Sequence, residues 1–174
     1  MTNDRHRRTA ALAYWRYAQD HLRAARALCT KNEVAIAEAQ AVYHLAAQSF
    51  EFALKAFLRA RGVAADALIE RYTCLVDRAL DEAIRRGLPA LPPRFAGAAH
   101  ALAAHHRPEG FMRLDDASTT VIEPARFFEL VHWTLDAIVP IVAEDYAAHY
   151  SGEGSPSKES FMVRLRADLS AETA

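Results

Sequence analysis

The sequence predicts an all-α fold, an up-and-down antiparallel bundle of about five helices. Three observations point there. About a fifth of the residues are alanine and only 6 are glycine, so helix is the least costly backbone state over most of the chain. The prolines gather at 89, 92 and 93 and then stand singly at 108, 124, 140 and 156, which leaves long unbroken stretches between them. Within those stretches apolar residues return every three or four positions, the period of a helix with one buried face.

A first helix is predicted from Thr9 to Thr30, with Leu12, Trp15, Leu22, Ala25 and Cys29 along one side. Asn32 is positioned to cap a second, from Glu33 to Arg61, and Gly62 to end it. In that second helix the polar side chains Gln40, His44, Gln48, Glu51, Lys55 and Arg59 form one narrow ridge. Nearly everything else on it is apolar, so it is expected to be the central helix. A third helix spans Ala65 to Arg86 and stops at Gly87, and a fourth runs from Pro93 to about His106. Residues 107–124 read as an ordered loop, and a fifth helix covers Ala125 to Tyr150 with a kink expected at Pro140. The domain is therefore placed at 1–150 and a flexible C-terminal tail at 151–174. In the tail, Phe161, Val163 and Leu165 alternate with polar or flexible neighbours, which suits either an added strand, a partner-docking segment or a frayed end.

Charge narrows the function classes. With 21 Lys+Arg against 22 Asp+Glu, the chain has no global attraction for nucleic acid or anionic lipid, so any such binding must be local. The longest apolar run, residues 137–143, is too short for a membrane span. The start MTNDRHRRTAALAYW has no apolar core of a secretory signal, and Cys29 and Cys74 lack metal or disulfide spacing. A cytoplasmic protein without metal, cofactor or membrane contact is expected. There is no Gly-rich phosphate loop, GxSxG, HExxH or di-iron ExxH set.

The segment YHLAAQSFEFALKAFLRARGV, Tyr43 to Val63, is followed by a helix, then LDEAIRRGLPALPP, a loop GFMRLDDAS and a long last helix. Over residues 9–150 this pattern resembles the HEPN domain family, including its members that act as substrate-binding subunits of nucleotidyltransferases. The resemblance implies a small antiparallel bundle that works as a homodimer. It also implies RNA, a nucleotide, a nucleotidyltransferase or an antitoxin as partner, because the family contains metal-independent endoribonucleases, toxins and non-catalytic partners of nucleotidyltransferases. Two departures stand out. Where many members open the third helix with Gly/Thr-His-Asp-Leu, this chain reads Arg71-Tyr72-Thr73-Cys74-Leu75 with no His, and Arg-Tyr-Pro-Asp becomes Arg113-Leu114-Asp115-Asp116, which keeps the Arg and an Asp.

The ribonuclease branch uses Arg-x(4–6)-His, in which His moves a proton and Arg steadies charge on the phosphate. Arg16–His21, Arg94–His100 and Arg126–His132 all fit, as many as the abundance of Arg and the 8 His would give by chance. Position selects Arg94 and His100 as the catalytic pair, because they open a helix just after Pro92-Pro93, where backbone N–H groups favour anions. The competing possibility is a solvated first-turn Arg94 and a surface His100.

Two further groups are candidate ligand sites. His44, Gln48, Glu51 and Lys55 lie on consecutive turns over about 16 Å, either lining a polar groove or forming a solvated stripe with a weak Glu51–Lys55 pair. His105 and Arg107, with Arg113 and Asp115 from the following loop, could form a cationic phosphate-docking loop, or His105 and Arg107 could simply favour a helix C-terminus. Adjacent His105 and His106 point about 100° apart and cannot share a metal without unwinding. The arm Arg5-His6-Arg7-Arg8 either contacts RNA phosphates or is disordered. Together these features suggest a protein that binds or acts on RNA or nucleotides, as a toxin-type metal-independent endoribonuclease or a nucleotidyltransferase partner. The alternative is a non-catalytic interaction or scaffold module.

Overall fold

A computed structural model describes residues 10–29, 36–107, 123–150 and 155–171. Helix α2 (Ile36–Ala60) organises them. It packs against α1 (Ala10–Cys29), α3 (Ala65–Tyr72), α4 (Val76–Arg85), α5 (Ala96–His106) and α6 (Pro124–Tyr150), so it is central as its composition predicts. Phe50, Ala53, Leu54, Ala56, Phe57 and Leu58 are fully buried along it. Trp15 of α1 donates its indole N–H to the Leu135 carbonyl of α6 at 3.3 Å, and Ser49 donates to the Ala18 carbonyl at 2.5 Å. These bonds satisfy polar atoms that burial would otherwise leave stranded.

The expected glycine stops hold. Gly62 has φ +85° and Gly87 φ +95°, and each is followed by the paired backbone bonds of a Schellman end: Val63 N–H to Leu58 O and Gly62 N–H to Arg59 O, then Leu88 N–H to Ala83 O and Gly87 N–H to Ile84 O. Helix α6 is continuous through Pro140. Residues Pro93–Phe95 form a single 3-10 turn that leads into α5.

Two expectations need correction. The third predicted helix is two, because the chain leaves helix at Thr73, places Cys74 at φ +58° and re-enters at Val76. The tail is not an added strand or a frayed end over its described part, since residues Lys158–Ser170 form α7. Its stripe is Phe161, Leu165 and Leu169, spaced by four and buried against α6, with Phe161 stacked on Tyr146 at 4.1 Å between ring centroids. Ser157 caps this helix by accepting from the Ser160 N–H. Among the described residues the protein is thus all-helical without strands, with seven α-helices where the sequence predicted about five. None of these helices is long and apolar enough to cross a membrane.

Candidate functional site

The polar ridge of α2 turns inward. Glu51 is 2% exposed and Lys55 4%, so the solvated stripe considered from sequence does not form at these two positions. Their partners come from the helix break and from the end of α5. Lys55 Nζ donates to Glu51 Oε1 and, at 3.1 Å, to Thr73 Oγ1. Glu51 Oε2 accepts from the Cys74 backbone N–H at 3.0 Å and from Nε2 of His106, which is 3% exposed. One carboxylate therefore ties three segments together.

The break at Thr73–Leu75 supplies one of these bonds. A left-handed Cys74 costs about 1 kcal/mol relative to helix, and the bond from its N–H to a buried carboxylate is charge-assisted and offsets that cost. Burial works to raise the Glu51 pKa, but the hydrogen bonds from His106 and Lys55 outweigh it and hold the carboxyl below its ordinary range. Burial and the nearby Glu51 push the Cys74 thiol up. The Nδ1 atom of His106 is buried with no hydrogen-bond partner. Glu51, Cys74 and His106 offer one ligand atom each, all within 4.8 Å of one another, a donor set that a metal could use.

The other predicted residues lie around this centre. His44 is half-buried with its ring 5.9 Å from that of His106, and burial together with that neighbour lowers its pKa. Gln48 is half-buried on the same face. His105 stacks on Tyr43 at 5.5 Å, and burial lowers its pKa. Arg107 is ion-paired with Asp77 in the first turn of α4. Burial opposes ionisation of Asp77, yet the Arg78 backbone N–H and Arg107 prevail and keep its pKa low. Arg113 and Asp115 lie outside the described residues, as does the Arg5–Arg8 arm.

Arg94 and His100 are both exposed on the outer side of the molecule. The Arg94 guanidinium lies over the Phe95 ring, 4.7 Å from its centroid, and no hydrogen bond among the described residues joins it to His100.

Sequence reasoning singled out Glu51 and Lys55 but not their partners. His106 was readable in part: Phe95, Ala99, Leu102 and His106 follow each other at steps of four, three and four, and all are buried. Cys74 and Thr73 carried no comparable signal, because the apolar spacing from Leu68 to Ala83 runs straight across the break. Compared with known proteins, the chain matches no family model, no curated protein and no solved structure.

Proposed function

We propose that this chain is a HEPN-like helical-bundle module, dimeric as that resemblance implies, that binds RNA, a nucleotide or a nucleotidyltransferase-type partner and does not itself cleave RNA. The observation that carries the non-catalytic choice is the state of the candidate nuclease pair. Nothing orients Arg94 toward His100, since its guanidinium lies on Phe95. Meanwhile the titratable groups best shielded from water, Glu51, Lys55 and His106, are engaged with one another rather than facing an open cleft. The central helix supports the HEPN-like part of the proposal, because its ridge faces the start of α4, where the family pattern places its Gly/Thr-His-Asp-Leu motif.

One observation favours a catalytic protein instead. Arg94 and His100 are exposed, and neither is held in an ion pair among the described residues, so both are open to a phosphate. A single experiment separates the two. Purified protein is mixed with a labelled RNA pool, and separately with labelled nucleotides, in EDTA; binding is read by anisotropy and products by gel. Retention without cleavage is expected. Cleavage that survives chelation and disappears in His100→Ala would replace this proposal with a metal-independent nuclease. Neither binding nor cleavage would remove the RNA and nucleotide part and leave a protein partner.

A further inference from the structure

The interior cluster brings together three ligand types from three separate segments: a carboxylate from the middle of α2, a thiol from the left-handed residue between α3 and α4, and an imidazole from the last turn of α5. We propose that Glu51, Cys74 and His106 form a binding site for a borderline-soft divalent transition-metal ion of the Zn(II) or Co(II) kind, with a fourth position left for water or an exogenous ligand. Sulfur, nitrogen and oxygen donors in this proportion suit such ions and not magnesium or calcium, which take oxygen alone.

Distance and support both favour the site. Bonds of about 2.0–2.3 Å place tetrahedral donors roughly 3.5 Å apart, a spacing close to that of atoms already within 4.8 Å of one another, with His106 Nε2 and Glu51 Oε2 moving apart to admit the ion. The carboxylate is held from behind: Lys55 occupies Oε1 and is itself anchored to Thr73, while Oε2 faces His106 and Cys74. That is the outer support that metal-ligating carboxylates normally receive.

The protons can be accounted for. The ion takes the place of the proton that now lies between His106 Nε2 and Glu51 Oε2. That proton moves to His106 Nδ1, which is buried without a hydrogen-bond partner, so the metal–nitrogen bond must offset an unsatisfied N–H. The Cys74 thiol proton goes to solvent. Thiolate and carboxylate together match the dication, but the carboxylate also faces the Lys55 ammonium, so the cluster gains one net positive charge, which an anionic exogenous ligand in the fourth position would offset. Metal binding would clasp the break between α3 and α4 to α2 and α5, in addition to whatever partner the surface takes.

The test uses the full chain, stripped with EDTA, dialysed and titrated with Co(II). A thiolate-to-cobalt charge-transfer band and the visible bands of a tetrahedral site are expected, and Zn(II) in excess should bleach both. Cys74→Ser keeps the backbone N–H to Glu51 and should lose the charge-transfer band. Cys29→Ser removes the chain's only other thiol and should keep it. His106→Gln should weaken binding by more than the roughly 10–100-fold that loss of a supporting group costs. The proposal is overturned if wild type, folded by circular dichroism, gives no band at excess Co(II), or if the band survives Cys74→Ser or vanishes in Cys29→Ser.

Discussion

His100 and His106 belong to the same helix, six residues apart, and have opposite fates. Six positions turn a helix through 600°, so the two side chains leave α5 about 120° apart. His100 meets solvent, while His106 is buried and donates to Glu51. An imidazole's role here is set by which side of an alanine-rich helix it occupies. Placement just after Pro92-Pro93, which made His100 the candidate in the sequence, says nothing about that side.

The sharpest way to break this comparison is to remove the inner carboxylate. Glu51→Leu leaves Lys55 as an uncompensated buried cation and is expected to cost about 3–5 kcal/mol in urea unfolding. A loss under about 1 kcal/mol would mean that water reaches the cluster. Next in size, His106→Leu should cost about 1–3 kcal/mol, because Glu51 loses one of its donors.

Acid sharpens the same contrast. The Glu51 pKa is lower in the folded protein than in the unfolded chain. Its stabilisation is therefore complete above the unfolded value, near about 4.3, and is lost as pH falls through the folded value. The stability gap between wild type and Glu51→Leu should narrow below pH ~4, measured as paired denaturation midpoints. Cys74→Asn should gain up to about 1 kcal/mol, since Asn accepts the left-handed backbone more readily. At the small end, His100→Ala should stay within about 0.5 kcal/mol of wild type.

Much of the fold was legible because large apolar residues and glycines mark it. Trp15, Phe50, Phe57 and Phe127 define inward faces, and Gly62 and Gly87 end helices where expected. The break at Thr73–Leu75 was not legible, since its cause lies 23 residues away in the carboxylate that captures the Cys74 N–H. Local periodicity carries no trace of a tertiary partner. The tail misled for a related reason. Phe161, Val163 and Leu165 look like an alternating strand until Leu169 is added, and Val163 proves to be exposed. At the site, half of the cluster was readable from the ridge on α2. Of the rest, His106 depended on how α5 is rotated, which its alanines leave open, and Cys74 and Thr73 depended on the break.

Burial of Lys55 also changes how this protein reacts with chemical reagents. The chain has only three lysines, Lys31, Lys55 and Lys158. In the native state the middle one has its amine locked between Glu51 and Thr73. Amine-directed labels and cross-linkers should spare that position until the bundle opens, so modification of Lys55, read by peptide mass mapping, becomes a covalent count of molecules that have unfolded.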